Sequence, residues 1–548
     1  MKKLIFTLFA ASLFSLTNAK GGILVGDTTG LSLKSKAKLE LAKQKMYGGK
    51  MIQALVMFKE IVNENPKSGA ALYYAADCSY KLGQIDDAVK FLESGKNSLE
   101  PKAQNFYLLG VIYLGNDKVD EALVEFTIYK SKATEADKKE HDPDVFVSQC
   151  NNAKKLKASP VDVKVENMGQ RVNSKFDDKG PAITADGKKL FFNSRRPGDD
   201  GDKESPVDVE GDGKYFEKIY YTTWDSATQQ WNVADEIPGQ INQKTSHVAC
   251  TGISSDGKQI FIYKNDMTNP EARGGDLFVA KVLNNKWRTP EPLGKPVNTS
   301  YWEGGACISP DGNTLYFTSE RKGGLGNSDI WVAKRKSKTE WDTPVNLGSE
   351  INTPYDEAGL FLAPDGKTLF FCSNGPNSMG SYDIFRTIYQ DDKWSKPENL
   401  GYPINTTKRD GPFVLAADVH YGYLSSDRMG GFGENDLYRV NLQDYAVLEK
   451  DFKKKADNSL SIIKGMIRDG FEGKGIEGAE IIFTNDKGEK VSITSNETGE
   501  YLITLKGGVS YQVKITKDGF KPTEEKVMLN LNKTGATYTL EKQFLLSK

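Results

Sequence analysis

The chain has 548 residues, with 73 Lys and Arg against 74 Asp and Glu for a net charge of -1. One hydrophobic core does not grow to that size, so the length predicts three or four domains in series. The charge balance argues against nucleic acid as a partner. Five scattered cysteines, Cys78, Cys150, Cys250, Cys307 and Cys372, form no C-x-x-C pair and argue against a disulfide framework or a zinc site.

Lys2 and Lys3 precede an apolar run from Leu4 to Leu16 and the small-residue end Thr17-Asn18-Ala19, which reads as a signal peptide over residues 1–19. The run is too short to span a bilayer, and no later segment is apolar enough, so an exported chain without a transmembrane segment is expected. Lys20, not Cys, follows the expected cut, so lipidation is not indicated.

Residues 33–157 carry a period of 34: Ala54, Ala88 and Ala122 recur at that spacing, as do Phe58, Leu92 and Phe126, and Gly49 and Gly83 are followed by Asp117. Apolar residues at helical spacing predict helices over Lys38–Tyr47, Ile52–Asn63, Ala70–Leu82, Ile85–Leu92, Ala103–Leu114 and Val119–Lys130, with a capping helix near Val145–Leu156. Phe106, Leu109, Gly110, Tyr113, Ala122 and Phe126 resemble the tetratricopeptide repeat. In the first copy Lys38 and Lys45 stand where the family places large apolar residues.

Over residues 161–442 the period lengthens to roughly 54 and strand formers replace helix formers. Asp-Gly turns at Asp186, Asp256, Asp311 and Asp365 each precede an apolar strand. A second Asp landmark recurs at Asp276, Asp329, Asp383 and Asp436, followed by a lone Trp at Trp287, Trp341 and Trp394, with Trp231 in the first unit. Four short strands per unit predict a β-propeller, five-bladed with six blades as the alternative. The last unit lacks its tail, and the segment Val163–Asn173 at the front looks like that tail permuted. The turns Ser309-Pro310-Asp311-Gly312 and Ala363-Pro364-Asp365-Gly366 resemble TolB-like, WD-like blades.

A charged linker over 443–459 leads to short strands broken by turns across 460–543, the pattern of a β-sandwich. Gly465, Gly478-Ala479, Thr498-Gly499-Glu500-Tyr501 and Lys517-Asp518-Gly519-Phe520 resemble the carboxypeptidase regulatory-like, prealbumin-type domain. The fold class is therefore multidomain: a helical solenoid, then a propeller, then a sandwich.

No catalytic residue is assigned, because three histidines in three contexts come with no G-x-S-x-G or H-E-x-x-H motif. No cofactor is expected either, since turns such as Gly323-Gly324-Leu325-Gly326 precede no helix that could complete a phosphate cradle. Arg196, Arg321 and Arg428 at matching blade positions form either a ring of anion contacts or, more simply, pins between hairpins. Asp208, Glu210 and Asp212 resemble half a calcium loop, but Ile219 stands at its twelfth position, so a solvated loop is the plainer reading and no metal is assigned. The tetratricopeptide resemblance implies a protein-binding concave face lined by Tyr47, Tyr73, Asp77, Tyr80, Lys81, Tyr107 and Val111, residues whose amphipathic rings suit peptide or protein contact.

The module order resembles PorE-like envelope proteins of the type IX secretion and gliding apparatus of Bacteroidetes. That resemblance implies a non-enzymatic periplasmic or outer-membrane-associated scaffold with envelope or secretion proteins as partners. Family members commonly add a lipidated Cys and a peptidoglycan-gripping domain, which are not seen here, so attachment through a partner is expected instead of direct peptidoglycan binding. A glycan- or peptide-binding propeller and an accessory subunit of a peptidase are the alternatives.

Overall fold

A computed structural model describes residues 31–198, 205–208, 213–264, 275–337, 339–443, 445, 447–448, 460–530 and 537–548. Apart from two short loop segments, one compact unit ends at Ala158 and the other begins at Ser159.

The first unit is helical, built from three antiparallel pairs. These are α1 (Leu33–Tyr47) with α2 (Met51–Glu64), α3 (Gly69–Lys81) with α4 (Ile85–Lys96), and α5 (Ala103–Gly115) with α6 (Val119–Lys132). A short α7 (Glu135–Glu140), opened by a capping box between Thr134 and Asp137, leads to α8 (Pro143–Ala158), which packs on α6. The repeated positions are the buried ones: Ala54, Ala88, Ala122, Phe58, Leu92 and Phe126 are all fully inaccessible. Small Ala lets helix axes approach, and the large residue four positions on fills the gap.

The turn residues obey the same period. Gly49, Gly83 and Asp117 have φ of 77°, 73° and 64°, and the next N–H in each turn reaches back to the carbonyl of Lys45, Ser79 or Tyr113. That left-handed helix ending favours Gly, and Asp117 occupies it with a side chain. Lys38 and Lys45 are half-buried and fit because each ammonium group finds a partner on α2: Lys38 pairs with Glu60 at 2.6 Å and Lys45 donates to Gln53 at 2.9 Å.

The second unit begins with five antiparallel sheets. Sheet I is Asp178–Ile183, Lys189–Ser194, Lys218–Asp225 and Gln230–Trp231, with Asp235–Glu236 also on its third strand; sheet II is Val248–Ile253, Gln259–Lys264, Asp276–Leu283 and Lys286–Trp287, with Glu291–Pro292 likewise. Sheet III is Glu303–Ile308, Thr314–Ser319, Asp329–Lys334 and Val345–Asn346; sheet IV is Glu357–Leu362, Thr368–Ser373, Asp383–Gln390 and Lys393–Trp394, with Glu398–Asn399 also on its third strand. Sheet V joins Asp410–Leu415, Tyr421–Ser426 and Asp436–Asn441 to Lys164–Asn167, so the front of the β body supplies the outer strand of its last sheet. The first strands touch in cyclic order, with sheet V returning to sheet I.

One Asn per sheet ties this ring together. Asn173, Asn242, Asn298, Asn352 and Asn405 each accept from the N–H and donate to the carbonyl of one residue on a third strand: Leu437, Ile219, Leu277, Ile330 and Ile384. A side-chain amide matches a backbone pair in both donor and acceptor, so two buried backbone groups are satisfied at once. Asn173 makes this bond across the chain ends, from the front segment to the last sheet.

Two further sheets form the C-terminal sandwich. In one, Leu460–Asp469 is flanked by antiparallel Glu500–Lys506 and by Tyr538–Glu541 and Phe544–Leu546, both parallel to it. The other orders Lys490–Thr494, Glu480–Thr484, Val509–Thr516 and Thr523–Leu529. Ile467, Phe483, Ile503, Val513 and Leu529 lie fully buried between them.

The segment after sheet V is not polar throughout. Val447 and Leu448 are buried in a cluster that runs from Phe370 and Phe413 to Leu460 and Ile462 of the sandwich. Arg386 donates to the Leu448 carbonyl at 3.0 Å, and Lys258 of sheet II pairs with Glu500 of the sandwich. Burial, which alone would raise the Glu500 carboxyl, is outweighed by Lys258, Thr498 and Asn496, and the group is held at about 2.

Candidate partner-binding face

The expected face draws on the first helix of each pair, and α1 touches α3 as α3 touches α5. Tyr73, Asp77, Tyr80 and Lys81 share one stripe of α3, and Tyr107 and Val111 share one of α5. Tyr47 ends α1 and is 53 % exposed. Lys81 is exposed as well, and the remaining five positions are half-buried.

Asp77 sits at the junction. It accepts from Lys81 at 2.7 Å, and its charge acts on Tyr47, Tyr73 and Tyr107 alike. Burial, with Asp77 adding to it, pushes the Tyr73 phenol well above its ordinary value. The Tyr47 phenol is raised by burial, and Lys43 opposes the shift. These phenols are neutral donors in the ordinary pH range, so the face offers apolar rings with hydroxyl tips around one ion pair.

Tyr107 has a second commitment. Its ring stacks on His141 at 4.0 Å and 9° and meets Phe146 edge-on at 5.2 Å, which joins α5 to the capping segment. Burial lowers the His141 pKa, which favours the uncharged imidazole in that stack.

Two features of this face are invisible in the spacing. Tyr74 stacks on Phe58 at 5.5 Å and carries Lys43 and Lys102 at 5.0 and 5.4 Å from its ring centre, a cation–π arrangement assembled from α1, α3 and the α4–α5 connection. His141 arrives from the α7–α8 connection. The adjacent pair Tyr73-Tyr74 was the one available signal.

In the β body the three arginines act as pins. Each Nε donates to a Ser hydroxyl: Arg196 to Ser194 at 2.8 Å, Arg321 to Ser319 at 3.0 Å and Arg428 to Ser426 at 3.0 Å. Each Nη2 reaches a fully buried carboxylate: Asp178 at 2.7 Å, Glu303 at 3.3 Å and Asp410 at 2.6 Å. The acid comes from the start of the first strand. The repeated Asp329 and Asp436 instead accept from the backbone of the glycine-rich turns.

The ring's centre is narrow. Pro181, Ile253, Cys307, Leu360 and Val414, one from each sheet, line a cavity of about 30 Å³. Of the calcium-like loop, Glu210 and Asp212 lie outside the described residues, and Asp208 accepts from Gly213 through its backbone. Among the described residues no group of three potential ligands could hold a metal ion, and no helix is long and apolar enough to cross a membrane. All five cysteines are free and buried, and burial raises the thiols of Cys250, Cys307 and Cys372 to about 12.

A tetratricopeptide-repeat family model matches residues 47–101, and a carboxypeptidase regulatory-like domain model matches residues 462–541. The chain carries both modules. No curated protein matches it. Among solved structures, a tetratricopeptide domain is 23% identical over 23% of this chain and 34% of its own, with a TM-score of 0.22. This chain thus spans about a third of that structure's length. A puromycin-hydrolyzing peptidase of Mycobacterium tuberculosis is 13% identical over 69% of this chain and 62% of its own, with a TM-score of 0.27. An exo-β-1,3-galactanase from Clostridium thermocellum is 11% identical over 67% and 87%, with a TM-score of 0.32.

Proposed function

We propose that this chain is an exported, non-enzymatic scaffold that bridges proteins of an envelope complex tied to type IX secretion or gliding. In this reading the signal peptide directs export and the five sheets are the blades of a five-bladed propeller. The observation that carries it is the row of tyrosines on α1, α3 and α5 around the Asp77–Lys81 pair, of which Tyr47, Tyr73 and Tyr80 fall within the tetratricopeptide-repeat match. Tyr combines contact area with a hydrogen-bonding tip at low entropic cost, which suits a polypeptide partner. Packing of the sandwich against the β body through Leu460, Ile462 and the Lys258–Glu500 pair supports a rigid spacer in place of a swinging tail. The alternative of a glycan or peptide held deep in the axial channel gains no support from a cavity of about 30 Å³, because such sites take roughly 300 Å³ or more.

The test is in-cell crosslinking of the tagged chain in its native host, followed by mass spectrometry of the purified adducts. Reproducible recovery of outer-membrane or secretion proteins is the expected result. Recovery of the chain alone contradicts it.

A further inference from the structure

The arginine pin has a gap in it. In sheet III, Glu303 accepts from the Thr299 N–H at 2.8 Å, from the Thr299 hydroxyl at 2.6 Å, from Ser319 at 2.8 Å and from Arg321. Sheet IV repeats the first three: Glu357 accepts from the Thr353 N–H at 3.0 Å, the Thr353 hydroxyl at 2.7 Å and Ser373 at 3.0 Å. The fourth partner is missing because Gly375 stands where sheet III has Arg321. Gly375 still donates its N–H to Ser373, as Arg321 does to Ser319, so the backbone is placed alike.

The rest of the receptor is also kept. Arg196, Arg321 and Arg428 each donate to a carbonyl 24 residues earlier, those of Val172, Val297 and Ile404. The corresponding carbonyl in sheet IV is that of Ile351. A Cβ at Gly375 would meet the Tyr355 ring at 3.3 Å and the Ser373 and Thr353 hydroxyls at 3.4 and 3.7 Å, so the glycine faces the receptor's own hydroxyls closely. Thr353, Tyr355 and Asn374 beside it are half-buried and Pro354 is exposed.

Energetics make this pattern unexpected for a purely structural site. Glu357 is fully inaccessible and no described cation pairs with it. A buried carboxyl without a cation is destabilising. Sheet II shows the simple remedy, since Val248 occupies the acid's position there. Sheet IV instead keeps the acid, the threonine and the serine and lacks only the guanidinium.

We propose that Glu357, Thr353, Ser373 and the Ile351 carbonyl form a guanidinium site that an arginine side chain of a partner polypeptide fills. The three sister sheets display the bound geometry in cis: one Nη on the carboxylate and the carbonyl, and Nε on the serine. Lysine, a point donor on a flexible stem, does not reproduce that fork. The site is built from residues of the β body alone, and only the origin of the arginine rests on the scaffold reading.

The test is calorimetric unfolding of the full chain with N-acetyl-L-arginine amide, free L-arginine or N-acetyl-L-lysine amide at equal ionic strength. The capped arginine is expected to raise the Tm of the β unit by about 1–3 °C beyond the lysine probe, by mass action on the folded state. Gly375→Arg, which fills the site in cis, is expected to abolish that response. Glu357→Gln, which keeps a hydrogen-bonding shape without the charge, is expected to abolish it too and guards against misfolding of the first variant. Equal responses to arginine and lysine, or a response that persists in Glu357→Gln, overturn the site. A response to free L-arginine but not to the capped form overturns the polypeptide source.

Discussion

At the residue scale Glu357 is a fully buried carboxyl that accepts from Thr353 and Ser373 and faces no described cation. Burial lifts its carboxyl from the ordinary value of 4.5 to about 8, with Thr353 and Ser373 opposing the shift and Asp329 the acid that adds to it. A raised folded-state value means its contribution is complete below pH 4.5 and drains away as the pH rises toward 8, because the unfolded chain ionises first. Glu357→Gln removes that slope. Measured by thermal unfolding from pH 4.5 to 9, the variant should gain on the wild type as pH rises, levelling above pH 8, with a plateau on the order of 1–4 kcal/mol. A constant difference across that range would refute the burial account. Val419 is the β-branched residue among those held at positive φ. Four sheets turn on Asp-Gly with glycine φ between 68° and 74°, but in sheet V Asp418 is followed by Val419 at φ 55°. A left-handed β-branched residue costs roughly 1–2 kcal/mol, and Val419 recovers part of that by packing on the cluster around Phe413. Val419→Gly should therefore raise the Tm slightly, by about 0.5–1 kcal/mol of stability. A loss of more than that in a melting curve would show that its packing outweighs the strain.

Among the elements, the helix pairs were the most legible, since a 34-residue period writes the same packing three times. Ala54, Ala88 and Ala122 announce their burial by recurrence. Gly110 shows how tight that packing is: a Cβ there would lie 2.7 Å from the Phe126 ring. Gly110→Ala should destabilise the helical unit by about 1–3 kcal/mol, read as an earlier loss of helical circular dichroism. An unchanged transition would mean that α5 and α6 have slack. The β units were legible for the same reason, down to the front segment that pairs with the last strand. What the spacing hid is tertiary. The acid under each arginine lies 18 residues before it, where nothing in the local pattern links the two. Tyr74 gathers its lysines from α1 and the α4–α5 connection, and His141 reaches Tyr107 from α7's end. The charged stretch after sheet V reads as a linker because Lys and Asp outnumber its apolar residues, yet Val447 and Leu448 are buried.

Across the whole molecule, the β body holds its sheets in a ring and the sandwich packs against it, while the proposed recognition falls to the helices. The five Asn bridges and three arginine pins stiffen the ring, which suits the proposed spacer. The central claim is that a polypeptide lies on the tyrosine face. A photo-crosslinking amino acid placed at Tyr47, half exposed on that face, should trap a discrete and reproducible adduct in the native host. The same residue at Val124, equally exposed on α6, is the control. An adduct at Tyr47 that is absent at Val124 is the predicted result; no adduct at Tyr47, or the same adducts at both positions, would contradict the account.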